Sequence, residues 1–290
     1  MKGKMFREKL IKTALFICSV TSIGIVFFIV IYMTYLGFPI ISGWLAHGFD
    51  SEYSVLPYMF NSIYLALGGT VVGIIIGLPC AIYLAEFSNI RLRNMVKPAL
   101  EVLNGFPSII LGILGFTLIC TQLARFGIYG TEGCTLVGWV VLGVMSLPLL
   151  ASVSEDSLRA VPQELREASL GLGATKWQTT VEVLLPGAFS GILTAALLAL
   201  MNAMGETMAV LLVIGLVIPP PITLSPFAGS NSITSLIAYG YQEVSVGSPR
   251  YLSLFAAGFV LFIMTALLNV VIRIVIANRR KTSSKGSKAQ

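Results

Sequence analysis

The chain has 290 residues, of which 56% are hydrophobic and only 11% charged, and its mean hydropathy is +0.88. A soluble domain carries about 25% charged residues, and a disordered chain is poor in hydrophobic ones. Both classes are excluded, and an integral membrane protein is expected. A single histidine, His47, and four cysteines (Cys18, Cys80, Cys120 and Cys134) support neither a His-based metal site nor a disulfide framework.

In chain order, residues 1–12 form a basic N-terminus carrying Lys2, Lys4, Arg7, Lys9 and Lys12. The apolar run at 13–36 is longer than the roughly 7–15 residues of a signal-peptide core, so it reads as an additional membrane anchor. Further runs able to cross about 30 Å of hydrocarbon fall at about 61–85, 106–124, 135–153, 190–217 and 253–277. The expected fold is all-α and polytopic, with six transmembrane helices. Every Lys and Arg except Arg125 and Arg250 lies in one of four places. These are the N-terminus, the second-to-third connection (Arg91, Arg93, Lys97), the fourth-to-fifth connection (Arg159, Arg166, Lys176) and the C-terminal end from Arg273 on. The positive-inside rule then puts both termini and these connections in the cytoplasm. The net charge of +6 is a topology signal, and no nucleic-acid partner is expected. Within the cytoplasmic tail at 276–290, the Ser/Lys stretch after Arg280 is expected to be disordered.

The second span holds Gly69, Gly73 and Gly77, one helical turn apart. Such a row lets helix backbones approach closely, either inside the bundle or at a dimer face. Pro79 and Pro148, near the expected ends of their spans, predict kinks. Glu206 is the one ionisable residue deep in a predicted span, and Asn202 lies one turn before it on the same helical face. An intramembrane carboxylate costs about 2.5–3.5 kcal/mol on insertion scales. It should therefore line a polar path or pair with a neighbouring helix.

The connection at 154–189 is strongly organised. Pro162 suits a first helical turn, and the run from Gln163 to Leu172 is rich in helix formers. Gly173 offers a left-handed stop. Thr175 and Gln178 form a capping box for a second helix, which Pro186 should limit. The expected product is a helix, a glycine turn and a second helix at the membrane surface, suited to docking a cytoplasmic partner.

Here the sequence resembles a known family. Glu167-Ala168-Ser169, Gly173 and Val183-Leu184-Leu185-Pro186 follow the EAA-x3-G-x9-I-x-L-P signature of ABC importer permeases, with Ser169 for the second Ala and Val183 for Ile. The resemblance implies that this loop couples the chain to an ATPase, through Glu167, Ala168, Ser169, Gly173, Val183, Leu185 and Pro186. Asn104-Gly105-Phe106-Pro107-Ser108 with Gly112, and Gly205-Glu206-Thr207-Met208-Ala209-Val210, are similar to the phosphate-specific, PstC-type branch. Similarity covers about 60–275, which the resemblance makes a type I permease domain. It implies a translocation path at Asn202, Glu206, Thr207 and Ser108, with Asn202 standing where the branch commonly has Arg. It also implies four partners besides the lipid bilayer: a homologous PstA-type permease, two ATP-binding subunits and an external phosphate-binding protein.

No Walker A sequence occurs, so ATP is expected to be hydrolysed by partner subunits, with no cofactor bound by this chain and no enzyme activity of its own. The absence of H-E-x-x-H and G-x-S-x-G argues against a membrane hydrolase. A channel or secondary transporter would show an inverted repeat or several intramembrane charges. Within the permease class, molybdate, tungstate or sulfate is the alternative to phosphate.

Overall fold

The computed structural model describes residues 2–47, 54–127, 133–218 and 220–286. Met1 and residues 287–290, the outermost parts of the two expected tails, lie outside the described residues, as does the side chain of His47. Among the described residues every regular element is helical, and six helices are long and apolar enough to cross a membrane. Contacts divide the chain into two units, Met1–Ser54 with Tyr239–Phe262, and Val55–Ala238 with Ile263–Gln290.

In the first unit, α1 (Lys2–His47) exposes Leu15, Phe16, Phe27, Phe28 and Ile31, as a helix immersed in hydrocarbon does. Tyr32 meets Phe255 of α12 (Pro249–Gly286) edge to face at 6.0 Å. The helix α12 runs past Arg280 to Gly286, where the sequence suggested a disordered tail. Basic residues near a helix C-terminus favour such an extension through the helix dipole.

The second unit is built on α2 (Leu56–Ile82), which continues into a π turn at Tyr83–Phe87, and α6 (Thr135–Arg159). Their seam is the glycine row. A Cβ on Gly69 would lie 2.6 Å from Leu142 Cβ, and one on Gly77 would lie 3.0 Å from Leu150 Cβ. The row therefore packs inside the bundle, where van der Waals contact between close backbones replaces the hydrophobic drive that lipid cannot supply. Both helices run through their prolines. Pro148 is well inside α6, not near its end, and Pro79 lies one turn before the π turn. The amphipathic α3 (Ile90–Asn104) follows α2, with the Asn89 side chain accepting from Leu92 N at 2.8 Å as its cap.

The third span is α4 (Ser108–Gly115), a π turn at Phe116–Cys120 and α5 (Thr121–Arg125). Between the fourth and fifth spans stands α7 (Gln163–Gly171). The next helix, α8 (Lys176–Thr179), does not stop at Pro186 as expected. It passes through a π turn at Thr180–Leu184 straight into α9 (Leu185–Gly205). The proline occupies the first turn after that π turn, where the altered hydrogen-bond register absorbs its missing donor. The lone surface helix of the loop is thus α7, and the fifth span is Lys176–Gly205, not 190–217.

Beyond Gly205 the chain breaks, forms the short α10 (Met208–Val213) and continues irregularly to α11 (Ile233–Glu243). Irregular backbone at membrane depth persists only where its polar groups are paired inside the protein. Here Cys134 N donates to Val213 O at 3.0 Å, Ser230 N to Ile214 O at 2.7 Å and Thr135 N to Ala228 O at 3.1 Å. Buried Ser62, Asn231, Ser232 and Ser235 complete the scaffold, with Ser62 Oγ accepting from Ile233 N at 2.9 Å. The core around it contains Leu65, Val137, Leu142, Val210, Val213 and Ile214.

Candidate coupling surface and translocation cleft

The loop at 154–189 is assembled from local rules. Pro162, extended at φ −54° and ψ 136°, sits at the cap position just ahead of α7. Gln163 Nε2 donates to Glu167 Oε1 at 3.2 Å, one turn on. The helix ends through Gly173, whose φ of +88° lies in the region closed to side chains with a Cβ. Thr175 then caps α8 reciprocally: Gln178 N donates to its Oγ1 at 3.2 Å, and Thr175 N donates to Gln178 Oε1 at 2.8 Å. Ser169 is half-buried, with its hydroxyl 3.0 Å from that of Thr179. Glu167 and Ala168 are exposed, Val183 and Leu185 half-buried, and Pro186 exposed.

No side chain of α7 is buried, although the loop is not wholly polar. Leu172 is 90% exposed and Trp177 60% exposed, with Leu165 and Leu170 also open. The signature residues bring the two loop helices together through Ser169 and the Gly173 turn, leaving Glu167 and Trp177 outward.

An ion cluster beneath this loop escaped the sequence reading, which left Glu155 in a connection. Because α6 extends to Arg159, Glu155 is helical and 0% exposed. Its carboxylate pairs with Arg93 Nε, with Lys97 Nζ at 3.2 Å and with Arg159 at 3.7 Å, while Lys97 reaches Asp156 at 2.9 Å. Burial pulls the Lys97 pKa down, but hydrogen bonds to Asp156 and Glu155 outweigh it, and the net shift is upward. A second pair joins Arg166 of α7 to Glu86 of the π turn ending the second span, at 2.9 Å. The Glu155–Arg159 spacing of four residues was the available signal. These contacts also place the second-to-third and fourth-to-fifth connections at the same end of the unit, as their shared basic character required.

The expected path residues do not form one group. Gly205 ends α9, and Glu206 is extended (φ −71°, ψ 131°), so Asn202 and Glu206 do not share a helical face. Glu206 Oε1 instead accepts from Thr207 N at 3.2 Å and Ala209 N at 3.5 Å, capping α10, while its carbonyl accepts from Thr234 Oγ1 at 2.8 Å. Two backbone donors at a helix N-terminus stabilise a carboxylate there without a cation. Thr207 Oγ1 turns to Gly205 O at 3.3 Å. Asn202 lines a cleft of about 650 Å³ with Glu101, Asn104, Ser152, Leu198 and Met201. Ser108, at the start of α4, is half-buried and does not line this cleft. Gly112 seats α10 on α4: a Cβ there would come 2.9 Å from Ala209 Cα.

Six apolar spans, a short unburied helix between the fourth and fifth, and a fifth span that breaks at Gly205 define an all-α, polytopic membrane protein. A chain of the MetNI methionine ABC transporter, solved in inward-facing conformations, has the same fold at a TM-score of 0.58 and 23% identity. That match covers 77% of this chain and 95% of the other. Residues 73–281 match the family described as binding-protein-dependent transport system inner membrane component, and the chain belongs to that family. Its curated relatives include the probable ABC transporter permease protein YqgH of Bacillus subtilis, 36% identical over 80% of this chain and 74% of the relative. The phosphate transport system permease protein PstC of Mesorhizobium japonicum is 32% identical (77% and 73% covered). PstA 1 of Mycobacterium tuberculosis is also 32% identical (83% and 78% covered). The chain is a multi-pass inner-membrane permease component.

Proposed function

We propose that this chain is a permease subunit of an ATP-driven inorganic phosphate importer. The observation carrying the ATP-driven part is the loop itself. An unburied α7, set by a left-handed Gly173, presents Glu167, Leu172 and Trp177 outward, as docking on an ATPase requires. The chain performs no hydrolysis and binds no cofactor of its own. Two ATP-binding subunits supply the energy, a homologous permease completes the path, and an external binding protein delivers the anion. Relatives named for phosphate transport in both the PstC and PstA lines favour phosphate over molybdate, tungstate or sulfate.

The cleft of Asn202, Asn104 and Ser152 supplies neutral hydrogen-bonding groups, and Glu101 is its acidic member. A carboxylate accepts from a protonated oxyanion and repels a fully ionised one, so Glu101 favours hydrogen phosphate over sulfate. The test is uptake of labelled phosphate by the complex reconstituted with its ATPase, homologous permease and binding protein. Sulfate, molybdate and arsenate serve as competitors. ATP-dependent phosphate uptake resistant to excess sulfate is expected. Uptake of another oxyanion with no phosphate uptake would overturn the substrate, and uptake without ATP would overturn the class.

A further inference from the structure

The helix α7 buries none of its own side chains, so its position depends on what holds it from outside. Its chain neighbours are α6 and α8, yet Arg166 reaches past them to the second span. The guanidinium Nη2 stands 2.9 Å from Glu86 Oε1, with the two side chains only 22% and 10% exposed. A pair so shielded is less screened than a surface pair, and losing one partner strands the other. Glu86 lies in the π turn Tyr83–Phe87, and the fifth span carries a π turn at Thr180–Leu184, just after α8. Such turns are places where a helix changes register at modest cost. The loop helix is thus joined covalently to the fourth span through α6 and to the fifth through α8, ahead of that span's π turn, and ionically to the second span at its π turn.

We propose that Arg166 and Glu86 are positioning residues for coupling: the pair transmits displacement of α7 to the second span, so that the second and fifth spans respond together to the ATPase. This rests on the coupling reading above. Neither residue touches substrate or nucleotide.

The experiment is charge exchange in the assembled importer, with Glu86→Arg, Arg166→Glu and the double exchange, alongside the milder Glu86→Gln and Arg166→Gln. Membrane level, ATPase copurification, ATP hydrolysis and phosphate uptake are measured for each. The single changes should leave the ATPase bound and hydrolysing while uptake per ATP falls about tenfold. The double exchange should recover most of that loss, as expected for a direct pair. If the reversals insert poorly, the glutamine variants decide, with a smaller fall of about threefold in the same ratio. An unchanged uptake-to-hydrolysis ratio, or no recovery in the exchange, overturns the proposal. Loss of ATPase binding in the single variants also overturns it, by assigning the pair to docking. A wild-type chain that binds no ATPase would instead fail the coupling reading itself.

Discussion

The loop between the fourth and fifth spans and the break after Gly205 solve opposite problems. The loop is exposed and held by contacts a few residues apart: the Gly173 turn, the Thr175–Gln178 box and the Ser169–Thr179 hydroxyl pair. The break is enclosed, and its contacts are distant in sequence: Val213 with Cys134, Ile214 with Ser230, Glu206 with Thr234. Local signals therefore suffice to foresee the first, whereas the second depends on where other spans come to lie. A change in the break should damage folding, while a change in the loop should damage coupling and leave the fold intact.

The largest effect is expected from Gly112→Leu, which drives a side chain into Ala209 where α4 carries α10. Overpacking costs about 1–3 kcal/mol or more, so lower membrane levels, a lower Tm in detergent and loss of uptake should appear together. Normal thermal stability would show the break to be as tolerant as the loop.

Next is Glu155→Gln, which leaves Arg93 and Lys97 without their buried partner. Breaking such a pair costs about 3–5 kcal/mol when fully enclosed, and about half that here, since the cations are partly exposed. Alkaline titration tests the same cluster. The Lys97 pKa is raised in the folded state, so its contribution is complete below its unfolded value of about 10.4 and lost as pH rises through the folded value. Stability should hold across neutral pH and fall above about pH 10.4, with a smaller alkaline loss in Lys97→Met.

Gly173→Val should leave membrane level and Tm nearly unchanged while uptake falls about tenfold or more, because φ of +88° costs a branched residue about 1–2 kcal/mol. No atom lies within 4 Å of the site of the added Cβ, so strain in the turn is the cause and not a clash. Gly173→Asn, which tolerates that region better, should retain more uptake. Normal uptake in both variants would detach the loop from coupling. The smallest effect belongs to Glu206→Gln, whose amide oxygen still caps α10. Phosphate uptake and selectivity should stay near wild type, whereas Glu101→Gln should relax discrimination against sulfate. The reverse ranking would return the path to Glu206.

Six spans and the loop's turn chemistry were legible because each rests on composition or short-range spacing. The fifth span was not. The apolar run continues to Val217, and an isolated Gly205 is weaker as a stop than the tertiary bonds that accept the broken backbone. Glu206 looked like a stranded charge on a helix face because a helix was assumed beneath it. Glu155 was missed because α6 outlasts its apolar run by a turn and a half, into a segment that reads as polar connection. Asn202 alone of the four expected path residues lines the cleft; Glu206 and Thr207 bond within the break, and Ser108 starts α4.

The uninterrupted run from Lys176 to Gly205 has a mechanical consequence. Thirty residues at 1.5 Å each make a rod about 45 Å long, with the capped foot at Thr175 and Asn202 one turn from the tip. Pivoted at its foot by 5°, such a rod sweeps its tip through about 4 Å, comparable to the diameter of a small oxyanion. A tilt that small at the foot moves Asn202, and with it one wall of the cleft, by a comparable distance.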